Sequence, residues 1–568
     1  MLSLVAFSLF GLSAAFPSLL SEPQLLPRAT CSGNTADTRS EWCDYSIDTD
    51  YTSEAPDTGV TREYWFELTE TTAAPDGVER YVQAINGSIP GPTIFADWGD
   101  TVVVHVTNAI SSSTNGTSIH FHGIRQNYTN QEDGVSSITQ CPTPPGSSIT
   151  YTWRAVQYGS TWYHSHWALQ AWEGVFGGII INGPATSDYD EDLGMLFLND
   201  WDHSTVDELY IDAESSGPPT LDTGLINGTN IWTDDDDNVT GYRFNVSLTE
   251  DSSYRLRLVN AAVDSHFKFM VDNHTLTVIA TDLVPIEPFT TDIISIGMGQ
   301  RYDVIITANQ AAVADSFWIR AIPQSACSEN DNADNIKGIV YYGSSTTTPT
   351  TSRTSSYVES CEDMDVSDLV PYISKTATSI QDTGSEGVTV GFNDEDLFRW
   401  YLNSTTMVLE WSDPTLLQIY DNTSTFDTSD AVIKLPNADE WVYMVIETTF
   451  SVPHPIHLHG HDYLVLAQGS GTYNSSTVTL NLDNPPRRDT AMLPGNGYLV
   501  IAFQTDNPGA WIMHCHIGWH TSEGFALQFI ERESEISALI DYDTLSDNCD
   551  AWSTYQSSES VVQDDSGV

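Results

Sequence analysis

The sequence predicts an all-β chain of sandwich type, and three observations carry that prediction. Short strands bounded by turn residues recur along its length, stretches of helical period are scarce, and two histidine-bearing segments of the first third return, altered, in the last third. The strands read in order as TVVVHVTN (101–108), RYDVIITAN (301–309), FWIRAI (317–322), YMVIETTF (443–450) and YLVIAFQT (498–505). The one segment that breaks the pattern, GSSTTTPTTSRTSS (343–356), is poor in apolar residues and rich in Ser and Thr, as an exposed linker is. A chain of 568 residues has room for roughly three or four domains. The boundaries expected are 29–185, 186–342 and 357–568, with the linker 343–356 before the last.

The amino end reads as an address. Residues 1–15 are apolar and end on small side chains, as a signal peptide does, and residues 16–28 read as a short propeptide cut after Arg28. No later apolar run reaches the length of about 18 residues that a membrane span needs, so a soluble, secreted protein is expected, without a membrane partner. Ten N-x-S/T sequons, at Asn86, Asn115, Asn127, Asn227, Asn238, Asn245, Asn273, Asn403, Asn422 and Asn474, suit glycosylated surface loops on that route. With 20 Lys and Arg against 78 Asp and Glu, the formal charge is -58. Such a surface repels nucleic acid and anionic membranes and keeps an extracellular protein soluble. Seven cysteines fit an oxidising compartment if six pair and one is kept apart. Six cysteines allow fifteen pairings, and Cys515, between His514 and His516, is the odd one.

The internal repeats locate the chemistry. SIHFHG (118–123) matches PIHLHG (455–460), and TWYHSHWALQAWEGV (161–175) matches IMHCHIGWHTSEGF (512–525), with a Glu-Gly pair in register after each H-x-H. Ser165 stands where Cys515 does, Gln170 where His520 does, and Thr117 where His454 does. The first third thus holds half of one metal site and none of another, while the middle third, with His203, His266 and His274, shows no site. Ten of the fifteen histidines lie in these segments or, as His454 does, directly before one; His105, His203, His266, His274 and His461 read as ordinary core or surface residues.

Positions i and i+2 of a strand share a face, so each H-x-H offers two imidazoles to one side. Four pairs (His120 and His122, His164 and His166, His457 and His459, His514 and His516) give a nitrogen-rich set suited to three metal ions with open positions. The remaining donors, His454, Cys515 and His520, describe a trigonal electron-transfer copper site. Zinc is the rival, but structural zinc sites close at four ligands and leave eight further histidines unexplained. Because Cys515 is bonded through the chain to both neighbouring histidines, its sulfur has a short covalent route to the second set.

On these residues the chain resembles the laccases of the multicopper oxidase family, the ascomycete type above all. The segments HFHG with Asp133-Gly134 beyond it, GSTWYHSH, HPIHLHGH and GAWIMHCHIGWH carry the resemblance over nearly the whole mature chain. Phe121, where the family commonly has Trp, and Phe525, where many ascomycete members have Leu, depart from it. The resemblance implies three consecutive cupredoxin-like Greek-key domains and four copper ions. His454, Cys515 and His520 would bind a type 1 copper, and His120 and His457 a type 2 copper. His122, His164 and His516 would hold one type 3 copper, and His166, His459 and His514 the other. It implies disulfides Cys31 to Cys43, Cys141 to Cys549 and Cys327 to Cys361, and a carboxyl-terminal plug at Asp564 to Val568, for which a frayed acidic end is the plain alternative.

The reaction implied is one-electron oxidation of phenols or aromatic amines coupled to reduction of O2 to water, by a chain expected to be a monomer. Asp133 resembles an acid that delivers protons near the cluster, though an Asp before Gly also reads as a turn residue. Asp237, the last of the run Asp234 to Asp237, is expected by spacing to be the carboxylate beside His520 that takes the phenolic proton. Phe525, ten residues beyond Cys515, is expected to face the type 1 copper axially and raise its potential. A ferroxidase using the same coppers, and a copper-storage protein, are the alternatives; oxygen uptake with phenol against Fe(II) separates them.

Overall fold

The computed structural model describes residues 31–111, 115–377, 385–392, 397–423, 425–563 and 565–568. The expected signal peptide (1–15) and propeptide (16–28) lie outside the described residues, as does Asp564.

Alternation of side chains decides how the strands pack. In Thr101–Asn108 the residues Val102, Val104 and Val106 are fully buried while His105 and Thr107 face outward, the pattern of a strand with one wet face. This strand sits in a four-stranded sheet with Arg80–Ile85, Thr61–Ala73 and Ser148–Arg154. It faces a second four-stranded sheet of Gly91–Asp97, Phe176–Asn182, Gly159–Ser165 and Ile119–His122, and Trp98, Phe121, Tyr151 and Trp153 fill the space between. The middle third repeats the plan with six- and five-stranded sheets, and the last third does so again. The other predicted strands are present as Arg301–Thr307, Ser316–Pro323, Trp441–Thr448 and Gly497–Gln504. The cores of the middle and last sandwiches merge into one apolar cluster, which joins them firmly.

Four strands matter for the site: β1 (Ile119–His122), β2 (Gly159–Ser165), β3 (His454–Leu458) and β4 (Gly509–Cys515). β1 and β2 are antiparallel neighbours with His120 opposite His164, and β3 and β4 are antiparallel neighbours with His457 opposite His514. Register alone therefore pairs the histidines within each half.

Among the described residues the two helices longer than two turns depart most from the all-β pattern. Val206–Ser216 starts at a reciprocal cap, in which the Thr205 hydroxyl accepts from the Glu208 backbone and the Glu208 carboxylate accepts from the Thr205 N–H. Tyr542–Glu559 buries only Leu545, Cys549 and Trp552, a stripe too sparse to register as a helical period in the sequence. Cys549 is bonded to Cys141, which fastens this helix to the first sandwich; Cys31–Cys43 and Cys327–Cys361 are the other bridges, and Cys515 is free and buried. The Ser/Thr-rich segment 343–356 has no regular structure, yet Thr351 donates to Asp272 at 2.8 Å and so lies along the middle sandwich.

Candidate metal centre

The ends of β1, β2, β3 and β4 bring eight histidines to the boundary between the first and last sandwiches. Most are turned by a hydrogen bond on one ring nitrogen. Nδ1 of His120 donates to the Asp133 carbonyl at 2.8 Å, that of His164 to Ser165 at 2.9 Å, that of His457 to Asp489 at 2.8 Å and that of His514 to Cys515 at 2.9 Å. A ring that gives its Nδ1 proton to a carbonyl keeps its Nε2 lone pair free. The Nε2 atoms of His120, His164, His166 and His457 have no protein partner, and Nε2 of His459 and His514 face each other at 3.3 Å. His122 is reversed: Nε2 lies 3.3 Å from Asp489 and Nδ1 is the unpartnered atom.

Donor atoms gather within 4.8 Å in the sets His166, His459 and His514; His120, His457 and His459; and His120, His122 and His164. The rings of His122 and His164 lie 5.0 and 5.5 Å from that of His516. Burial, aided by the neighbouring imidazoles, holds His122, His164, His166, His457, His459 and His516 well below the usual pKa, and burial lowers His514 to about 4. The rings are therefore neutral, buried and orphaned, a donor set that fits metal cations and little else.

The second set lies on the other side of Cys515. His454 opens β3, Cys515 closes β4, and His520 projects from the short helix Gly518–Ser522. The sulfur is 3.4 Å from Nδ1 of His520 and 3.9 Å from Nδ1 of His454. Burial pushes the thiol far up, so its thiolate is stable only beside a cation. Phe525 is buried here, with its ring centroid 5.3 Å from His454 and 6.4 Å from His520, and it stacks on Trp400 at 5.3 Å. The first sandwich shows what replaces this set: Thr117 and Ser165 each donate to the Gln170 side-chain oxygen at 2.7 Å. The three positions that the repeat aligns thus meet in both sandwiches.

Asp133 lies where the sequence suggests, at the end of the one-turn helix Asn130–Asp133 and among the histidines. Its Oδ2 accepts from His459 at 2.8 Å and its Oδ1 is 3.3 Å from His120. Among the described residues no hydrogen bond or ion pair joins Asp237 to the His520 helix: it is exposed at the turn of the ribbon Ile231–Thr233 and Val239–Gly241, where its N–H donates to the Asp234 carbonyl. The run of four acids is a solvated hairpin tip, and spacing misled because distance along the chain does not report which segment packs against that helix.

The carboxylate beside the His520 helix is Asp264, which sequence reasoning missed. It interacts with Trp519, and the neighbouring Val263 carbonyl accepts from Gly518 at 3.0 Å. Burial and the nearby Asp200 raise Asp264 to about 8. Asp264 lines a cleft of about 170 Å³ with Pro218, Pro219, Thr220, Ser328 and Glu329. That is close to the roughly 150 Å³ that admits one benzene ring. Its signal was weak, a single Asp following the apolar strand Ser253–Asn260. Glu523 was missed too; its carboxylate accepts from Trp400 at 2.8 Å, and burial raises it to about 8.

The carboxyl end is docked rather than frayed. Ser566 donates through its N–H to Ser522 at 3.0 Å and through its hydroxyl to Thr521 at 2.8 Å, and the Gly567 carbonyl accepts from Ser137 at 2.6 Å. Val568 is buried. The last residues therefore brace the helix that carries His520.

Family models described as "Multicopper oxidase" match residues 67–186, 192–344 and 396–535. The chain is 48% identical to "Laccase-2" of Botryotinia fuckeliana, over 98% of this chain and 97% of that protein. It is 41% identical to "Laccase" of Cryphonectria parasitica, over 98% of this chain and 97% of that one. Among solved structures, the laccase from Botrytis aclada superposes with a TM-score of 0.89 at 47% identity, covering 94% of this chain and 99% of that one. Fet3p, described as a multicopper oxidase that functions in iron import, superposes with a TM-score of 0.76 at 26% identity, covering 88% and 96%.

Proposed function

The chain belongs to the multicopper oxidase family as an oxidoreductase of the fungal laccase type, and from that premise we propose which residues do the work. His454, Cys515 and His520 hold a type 1 copper and His120 and His457 a type 2 copper. His122, His164 and His516 hold one type 3 copper, and His166, His459 and His514 the other, four ions in all. When bound, copper supplies one-electron exchange with the donor and the four-electron reduction of O2 to water.

The observation that carries this reading is the placement of Cys515, a member of one donor set whose two chain neighbours belong to the other. No site holding one isolated metal ion needs that adjacency. Asp264 lies in the cleft beside the His520 helix, where its ionised form accepts the proton that a phenol sheds as it loses an electron. The cleft takes a single aromatic ring, and the buried Trp519 and Trp400 keep water from the donors. Asp133, whose Oδ2 accepts from His459 and whose Oδ1 lies close to His120, is placed to relay protons to the eight-histidine set. No described helix is long and apolar enough to cross a membrane; the expected secretion rests on the amino-terminal address.

Fe(II) oxidation draws on the weaker likeness, 26% identity against 47–48%. Oxygen consumption by the copper-loaded protein with a methoxyphenol, an aromatic amine and Fe(II), across pH, tests the proposal. Uptake with phenols well above that with Fe(II) is expected, and the reverse order would overturn it.

A further inference from the structure

The middle third supplies no histidine to either donor set, yet it touches the larger one. The turn between the strands Ile294–Ile296 and Arg301–Thr307 carries Gly299 at φ 82°, where an added Cβ would stand 2.9 Å from His516 and 3.1 Å from His122. Two residues on, Arg301 grips Asp489 of the last sandwich with both prongs, Nη1 to Oδ1 at 2.6 Å and Nη2 to Oδ2 at 2.5 Å. Both side chains are fully buried. Arg301 is fixed in turn, because Nη1 also donates to the Gly299 carbonyl at 3.1 Å and lies 3.5 Å from Asp282.

On its far side Asp489 meets two of the clustered histidines. Its backbone carbonyl accepts from Nδ1 of His457 at 2.8 Å, and its Oδ1 is 3.3 Å from Nε2 of His122. A Cβ on Gly123, the residue after β1, would come within 2.3 Å of both Arg301 and Asp489, so the first sandwich leaves room for this pair. All three sandwiches converge on it. A carboxylate buried this deeply needs a partner, and a guanidinium fork holds both oxygens in one plane as a lysine cannot.

Resting on the copper reading above, we infer that Arg301 is a positioning residue. Through its grip on Asp489 it sets the rings of His122 and His457, so the middle sandwich decides how firmly the ion at His120 and His457 is held. The Cys515 set, on the other side of β4, is independent of it.

The test uses copper-loaded full-length protein as wild type, Arg301→Gln, Asp489→Asn and the double variant, read by copper content, the type 2 paramagnetic resonance signal and the blue absorbance of the thiolate. Arg301→Gln is expected to retain type 2 copper about 10- to 100-fold less well against a chelator, with blue absorbance per chain unchanged. The double variant is expected to be no worse than the poorer single one, since both changes break the same link. Wild-type retention in Arg301→Gln, or losses that add in the double variant, would overturn the inference. If Arg301→Gln does not fold, Arg301→Lys keeps the charge without the fork and is expected to weaken retention; unchanged retention there overturns it as well. A wild-type protein lacking any type 2 signal would sink the copper assignment itself.

Discussion

Phe525 and His454 meet edge to face, ring centroids 5.3 Å apart at an interplanar angle of 72°, with the Trp400 ring stacked behind Phe525. A phenyl ring in that position donates nothing to a metal and excludes water, which disfavours the more highly charged Cu(II). Phe525→Met is expected to keep fold and colour but lower the type 1 potential. A shift of about 100 mV corresponds to about 2.3 kcal/mol per electron. Redox titration of the blue band measures it, and an unchanged or higher potential counts against the role given to Phe525.

Cys515→Ser is expected to abolish the blue band and phenol oxidation while the copper held by the eight histidines stays. Ser165, at the matching position in the first sandwich, already sits between two histidines of that set. Metal analysis that finds no copper at all would show the two sets to be inseparable.

Asp264→Asn should raise KM for phenols or slow their oxidation by about tenfold or more, and leave a non-phenolic donor nearly untouched. Asp237→Asn, on its exposed hairpin, should change neither. Stability separates the two as well. Burial and Asp200 lift Asp264 to about 8 in the folded chain, so folding favours the protonated acid, and stability falls as pH rises from about 4 toward 8. Asp264→Asn removes that slope, so its melting temperature should gain on wild type between pH 4 and pH 8. A constant difference across that range would count against a buried, proton-holding Asp264.

His203 binds the first two sandwiches together, with Nε2 2.8 Å from Asp76 and Nδ1 2.9 Å from Asp222. Partial burial lowers its pKa, but the bonds to Asp222 and Asp76 prevail and raise it to about 9. A raised histidine stabilises fully below its unfolded value near 6.5 and loses that contribution as pH climbs through about 9. His203→Gln should therefore melt below wild type at pH 6, by about 1 kcal/mol or less after solvent screening. The gap should close by pH 10, and melting curves at pH 6, 8 and 10 decide it.

The clustering of the histidines was legible because period-two strands and covalent spacing confine them: His120 and His122 share a strand, and Cys515 cannot leave its neighbours. The five strands read from apolar runs were legible for the same reason, since a one-residue slip would turn Val102, Val104 and Val106 to solvent. What escaped depends on contacts between distant segments. Asp264 belongs to the cleft only because Val263 docks on Gly518, and Asp237 was chosen in its place from loop length, which carries no such contact. Asp489 and Arg301 lie 188 residues apart, and neither stands beside a histidine in the sequence. The helix Tyr542–Glu559 was hidden by its narrow apolar stripe.

The bridge from Cys141 to Cys549 spans 408 residues, and the histidines it draws together lie near the two ends of that span. A ribosome adding roughly 5–20 residues per second finishes the first half of the cluster on the order of tens of seconds before the second half exists. During that interval His120, His122, His164 and His166 stand on a nascent sandwich with no counterpart. Ser566 and Val568, which brace the His520 helix, follow the second half of the cluster in the chain and so are made later still. A chain without Ser566 to Val568 would therefore carry its His520 helix unbraced.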